Sequence, residues 1–211
     1  DTNACAAMIE FKGYLYCGSW KFGDDQGRIW RTADGQNWIE DVNYSSNEIN
    51  TFKVFNNILF ASTWGSEGVG NDIWFSKDGV NWNLSISGGF GDPANLGAPA
   101  SDIFHGKLYW GTYNIDTGGQ IWRTDGDNYE LVMEGGFVNS ENSGVTALAT
   151  FDGYLYAITS DSISIEVWRS ADGVNWEKAF NLQMYAYPLG DDLINGIEVF
   201  DGYLYIFIQN N

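Results

Sequence analysis

Ile165-Glu166-Val167-Trp168-Arg169-Ser170-Ala171-Asp172-Gly173-Val174-Asn175-Trp176 reads as a strand, a tight turn and the opening of a second strand. Gly173 supplies the positive φ that an Asp-Gly turn requires, the Asp172 carboxylate can accept hydrogen bonds from the turn's own amides, and Trp176 covers the hairpin with apolar area. Three other segments repeat the pattern: Ile29 to Trp38, Ile73 to Trp82, and Ile121 to Tyr129, the last one residue shorter before Asp125-Gly126.

A second motif alternates with the first. It runs Phe11-Lys12-Gly13-Tyr14-Leu15-Tyr16 and recurs from Phe55, Phe104, Phe151 and Phe200. The leading Phe returns roughly every 47 residues, a period expected of propeller blades. Two-residue centres such as Lys-Gly, Asn-Asn and Asp-Gly favour the type I′ turn, whose twist suits a β-hairpin. The apolar columns on either side keep the period of two that marks strands with one buried face, and helical spacing is absent. Two hairpins per period give four antiparallel strands, A to D. The expected fold is therefore all-β: a single β-propeller domain over 1–211, with about five blades of four antiparallel strands. The units run about 5–48, 49–97, 98–144 and 145–193, and the last blade is incomplete at 194–211.

The C to D turns resemble the Asp-box repeat of sialidase-like propellers on Thr32/Asp34/Gly35/Trp38, Ser76/Asp78/Gly79/Trp82, Thr124/Asp125/Gly126/Tyr129 and Ser170/Asp172/Gly173/Trp176. Here glycine follows Asp directly, which makes the box a variant. In that family Asp34, Asp78, Asp125 and Asp172 would be structural staples. A working sialidase would also need three convergent arginines. Arg31, Arg123 and Arg169 instead share one column after the strand C Trp, which leaves only Arg28 and a catalytic set unmatched.

With 28 Asp and Glu against 10 Lys and Arg, the net charge is −18. Such a surface repels phosphate backbones, so nucleic acid is excluded as a partner. No apolar run reaches the ~20 residues of a membrane span. A chain opening on Asp1, with sequons at Asn43 and Asn83, is expected to be a processed, secreted or cell-surface product.

His105 falls in a turn column shared with Lys12, Asn56, Asp152 and Asp201, so it offers no catalytic triad. The two cysteines are too few for a thiolate metal site. In a regular hairpin about Lys12-Gly13, Cys17 faces Met8 and Cys5 faces Trp20, which puts the thiols on opposite faces. Cys5 aligns with Ile49, Ala98, Val145 and Ile194, which suits a small buried residue. A disulfide stays open if the first residues leave the strand.

The B to C and D to A connections emerge together and vary between units, so that face is where a ligand is expected. It gathers Trp20, Asp24 and Asp25, then Trp64, then Tyr113, Asn114 and Asp116. Aromatic plates beside carboxylates and amides suit sugar rings or cations. No cofactor is required, although Asp24-Asp25-Gln26-Gly27 has the composition to hold Ca²⁺. The leading reading is a non-catalytic binding or assembly module whose partner is a glycan or another protein subunit. The alternatives are a lectin using the loop face and a glycoside hydrolase with two carboxylates across it. Finally, Tyr203-Leu204-Tyr205-Ile206-Phe207-Ile208 is a strongly apolar strand B with no strand C after it, expected to pair with a continuation or a neighbouring chain.

Overall fold

The structure is a computed structural model that describes residues 3–21, 24–43, 48–137, 139–160, 164–183 and 194–208. Strands β1 (Asn3–Phe11), β2 (Tyr14–Lys21), β3 (Asp24–Thr32) and β4 (Ile39–Asn43) form the first antiparallel blade. The second is β5 (Ile49–Phe55), β6 (Ile58–Thr63), β7 (Ile73–Ser76) and β8 (Trp82–Ile86). The third is β9 (Gly97–Phe104), β10 (Lys107–Tyr113), β11 (Ile121–Thr124) and β12 (Tyr129–Met133). Strands β13 (Gly144–Phe151), β14 (Tyr154–Ser160), β15 (Ser164–Ser170) and β16 (Glu177–Gln183) make the fourth, and β17 (Ile194–Phe200) with β18 (Tyr203–Ile208) a final hairpin. The chain falls into two compact units, Asp1–Ala98 and Pro99–Asn211.

Every A to B turn has both central residues at positive φ, from Lys12-Gly13 (50° and 79°) to Asp201-Gly202 (48° and 76°). That is the type I′ geometry the turn residues dictate. Each C to D turn is closed by its own side chains. In the first, Asp34 Oδ1 accepts from the amides of Gln36 (2.8 Å) and Asn37 (2.7 Å), Oδ2 accepts from Asn37 Nδ2 (2.7 Å), and Thr32 Oγ1 accepts from Gly35 N (3.0 Å). Asp78 and Asp172 repeat the arrangement, and the shorter third turn keeps two amide bonds to Asp125 Oδ1. These bonds hold all four carboxyls below the usual carboxylate range, led by the amide of Asn37, Asn81 or Asn128 and, for Asp172, by the Asn175 side chain.

The register departs from the regular one at a recurring place in the A to B hairpins, and at another just before the strand C Trp in the C to D hairpins. A bulge falls between Cys5 and Ala7 in β1, and the same shift recurs at Ile49/Thr51, Val145/Ala147 and Ile194/Gly196. The extra residue sets Cys5 opposite Ser19 and not Trp20. Cys5 thereby shares a face with Cys17, and the two form a disulfide across a Cα–Cα distance of 5.8 Å. Cys5 is exposed, which corrects the expectation of a small buried residue at that column. Asp24 and Asp25 are also corrected: they are residues of β3, with Asp24 paired to Lys21, because the first B to C hairpin extends through them.

Within the first unit the core is Phe11, Tyr16, Ile29, Ile49, Phe52, Leu59 and Ala61. Gly18 is small because its neighbour is not: a β-carbon there would lie 2.4 Å from Ile49 Cγ2. In the second unit Phe104, Tyr109, Ile121, Val145, Leu155 and Trp168 belong to one cluster, and Gly111 admits Val145 in the same manner, at 2.5 Å.

Candidate functional site

Two of the loop systems are built to one plan, although their sequences looked unrelated. In the first unit the segment after β6 is stitched to the segment after β8. Gly65 N donates to Leu96 O (2.6 Å), Asn71 N to Asn95 O (2.9 Å) and Gly89 N to Asn71 O (2.8 Å). In the second unit the matching bonds are Asn114 N to Ser143 O (2.6 Å), Gly119 N to Asn142 O (2.9 Å) and Gly136 N to Gly119 O (3.0 Å).

The plan rests on Gly-Gly-Phe, which occurs at Gly88-Gly89-Phe90 and Gly135-Gly136-Phe137 with three successive positive φ values. Each Phe is buried and each turn is capped by an Asn whose Nδ2 donates to the second glycine's carbonyl, Asn95 at 2.8 Å and Asn142 at 2.9 Å. Gly70 and Gly118 complete it, since a β-carbon on either would stand 2.6 Å from the amide nitrogen of Gly89 or Gly136. The loops expected to be variable are therefore, in these two cases, a rigid repeated frame.

On that frame Trp64 and Tyr113 hold equivalent positions at the ends of β6 and β10. Each is half-buried and lies against a glycine: a β-carbon on Gly97 would meet Trp64 Cε3 at 2.5 Å, and one on Gly144 would meet Tyr113 Cδ2 at 3.1 Å. The Asn50 amide stands beside Trp64, 2.9 Å from the same point on Gly97. Trp64 N donates to Glu48 O (2.7 Å), and Thr63 N to Asp72 O (3.0 Å), so two half-buried acids flank the ring's backbone. Burial pushes both carboxyls up, opposed at Asp72 by the Gly88 N–H.

The remaining expected site residues separate by role. Asn114 is fully buried, and its Oδ1 accepts from the amides of Asp116 and Thr117 (3.0 Å each), so it shapes the loop. Asp116 is exposed. Trp20, Asp24 and Asp25 have their backbone in strands, but their side chains lie outside the described residues. Among the described residues no three His, Cys, Asp or Glu side chains group to hold a metal ion. His105 is an exposed turn residue stacked on Phe104 at 3.9 Å. Arg123 is engaged by Glu130 and Arg169 by Glu177, each across its own hairpin.

Glu166 escaped the sequence reading. It is buried, accepts from Asn142 Nδ2 (3.0 Å) and Trp168 Nε1 (3.1 Å), and is paired with Lys178. Gln120 serves the indole of Trp122 in the same way (2.8 Å). Aligning the repeats two residues before each strand C Trp would have exposed this column.

No family model and no curated protein matches the sequence. Solved structures do match. A chain of a nidogen/laminin complex is 15% identical, over 96% of this chain and 71% of that one, with a TM-score of 0.63. An α-L-arabinofuranosidase from Clostridium thermocellum is 13% identical, over 96% and 80%, with a TM-score of 0.60. An endo-arabinanase from Bacillus licheniformis is 15% identical, over 96% and 91%, with a TM-score of 0.54. The fold is a β-propeller. At these identities the likeness reaches the fold and stops there, so this propeller's role has to be argued from its own residues. No helix among the described residues is long and apolar enough to cross a membrane.

Proposed function

We propose that this propeller is a secreted or cell-surface, non-catalytic module that binds carbohydrate on its loop face, with its Asp-Gly turns acting as variant Asp-box staples. The observation that carries the reading is the setting of Trp64. Its ring is fixed on Gly97 beside the Asn50 amide, and half-buried Glu48 and Asp72 adjoin it along the backbone. A flat apolar plate stacks on a sugar ring, and an amide beside it both donates to and accepts from ring hydroxyls. The glycoside hydrolases and arabinan-directed enzymes among the similar folds, and a polysaccharide lyase, make saccharides the first ligands to try.

The test is a glycan array, with and without Ca²⁺, followed by titration of any ligand found. Trp64→Ala is expected to weaken binding at least tenfold while the protein keeps a cooperative melting transition, lowered by the packing lost on Gly97. An array with no saccharide bound would remove the reading, and release of reducing sugar from a bound glycan would replace it with the glycoside hydrolase alternative.

A further inference from the structure

Four hydroxyls stand in one column near the ends of the B strands: Ser19, Thr63, Thr112 and Thr159. Three of them bond the main chain of the residue opposite, two places before the strand C Trp. Ser19 Oγ donates to Arg28 O (3.4 Å), Thr63 Oγ1 donates to Asp72 O (3.3 Å) and accepts from Asp72 N (3.0 Å), and Thr112 Oγ1 accepts from Gln120 N (3.0 Å). The fourth makes no such bond. Thr159 is fully buried, and among the described residues its Oγ1 has no hydrogen-bond partner.

A second unpaired atom lies close by. Asn142 is also fully buried, and its Nδ2 donates to Gly136 O and to Glu166 Oε2, while its Oδ1 has no partner among the described residues. Both residues converge on Glu166. Thr159 is paired directly with Glu166 across β14 and β15, so their side chains leave the sheet on one face with β-carbons about 5 Å apart. The Asn142 amide is 3.0 Å from the carboxylate on that face. An orphan donor and an orphan acceptor are thus brought to one carboxylate without bonding each other.

The face they share is an interior one. Side chains alternate along a strand, so Thr159 and Glu166 lie on the side of Ala157 and Trp168, which cluster with Val145, Ile121 and Phe137. Ile158 and Val167 take the opposite side, with Ile197 and Ile206 of the final hairpin. Both walls of the site therefore come from the third and fourth blades, inside the unit Pro99–Asn211.

The chemistry selects the ligand. A buried hydroxyl and a buried amide oxygen are rarely left unpaired, and serving both takes a group that accepts from one and donates to the other. A cation fits the oxygens but not their company, because Lys178 is paired with the same carboxylate and Asn142 Nδ2 and Trp168 Nε1 already aim N–H groups at it. An anion would meet Glu166. Water suits all three groups. We propose that the fourth blade holds one buried water, which accepts from Thr159 Oγ1 and donates to Asn142 Oδ1 and to the Glu166 carboxylate. It fastens the Asn142 cap of the Gly-Gly-Phe turn to strand β14, and it does not depend on saccharide binding.

Crystal structures of the full 211-residue chain and of two variants, at a resolution that shows ordered water, test the site. The unmodified chain is expected to show a single peak about 3 Å from Thr159 Oγ1, Asn142 Oδ1 and a Glu166 oxygen. Thr159→Ser keeps the hydroxyl and is expected to keep the peak, whereas Thr159→Val keeps the shape, removes the donor and is expected to lose it. Three results overturn the proposal: no peak with Thr159 bonded directly to Asn142 or Glu166, a peak that takes up rubidium from the crystal solution, or a peak that persists at full occupancy in Thr159→Val. Should Thr159→Val fail to fold, the unmodified chain and Thr159→Ser decide by whether the peak stands within bonding distance of all three groups.

Discussion

The hydroxyl of Tyr109 lies against the backbone of Gly173, at a point where a β-carbon would be 2.0 Å from Oη. Tyr16 and Gly79 make the same contact in the first unit, at 1.9 Å. The glycine of the Asp-Gly turn thus answers two demands at once, a positive φ and the absence of a side chain under a neighbouring blade's tyrosine.

Those demands are separable by substitution. Gly35 has φ +73° and open space, whereas Gly173 has φ +76° and the tyrosine. Gly35→Ala is expected to cost only the backbone strain, about 1–2 kcal/mol. Gly173→Ala adds a packing clash worth roughly 1–3 kcal/mol more. Urea unfolding of the two variants measures the difference, and equal losses would mean that Tyr109 moves aside freely.

The turn carboxylates set the acid limit of the fold. Asp34, Asp78, Asp125 and Asp172 have carboxyls depressed by turn hydrogen bonds, so their contribution is fully present above the unfolded pKa, near 4. It is lost as pH falls toward the folded values. The melting temperature is expected to drop steadily below about pH 4, and to drop less steeply in Asp172→Asn, which begins lower at neutral pH. A melting temperature flat from pH 6 to pH 3 would contradict this assignment.

Asp72 works in the opposite sense. Burial raises its carboxyl, so the unfolded chain ionises first and the fold is penalised once pH exceeds the unfolded value. Asp72→Asn is expected to melt higher than the parent at pH 7 and to lose that advantage in acid. Melting curves at pH 7 and pH 4 check both halves of the statement.

Glu166 collects the Asn142 amide, the Trp168 indole and Lys178. Its truncation in Glu166→Ala leaves the Trp168 indole N–H without its acceptor, while Asn142 keeps the Gly136 carbonyl, and is expected to cost roughly 1–3 kcal/mol. Lys178→Met leaves the Glu166 carboxylate buried without its cation and is expected to cost at least as much at neutral pH. A clearly smaller loss for Lys178→Met would show that the indole and amide bonds, and not the ion pair, are what hold the carboxylate.

The disulfide closes a loop with a sequence separation of 12, worth roughly 3 kcal/mol by chain entropy. Cys5→Ser is expected to lose about that much. Cys17→Ser should lose more, because Cys17 is buried and places a hydroxyl in the apolar sheet. Thermal melts with and without reductant distinguish the bridge from the substitution.

The sequence by itself determined the turns and therefore the blades. Glycine at positive φ, an Asp that bonds its own turn amides and a period of two are local properties, readable within six to twelve residues wherever they recur. Lys12-Gly13 and Asp172-Gly173 needed no tertiary information to declare themselves. Tertiary structure alone decided what depends on residues far apart. The bulge after Cys5 leaves no compositional trace, yet it reverses which face Cys5 occupies and makes the disulfide possible. Asp24 and Asp25 look like a loop and are strand, because pairing resumes at Lys21 and Asp24 after a register shift beyond Ser19. Gly-Gly-Phe is visible as a string, but its meaning lies in hydrogen bonds to a segment some twenty residues away, and Glu166 is a buried acceptor only because Asn142 and Lys178 arrive from other strands and loops. A local conformational preference is written in a few adjacent residues, whereas a register shift or a buried polar contact is settled by the competition of distant partners for the same space.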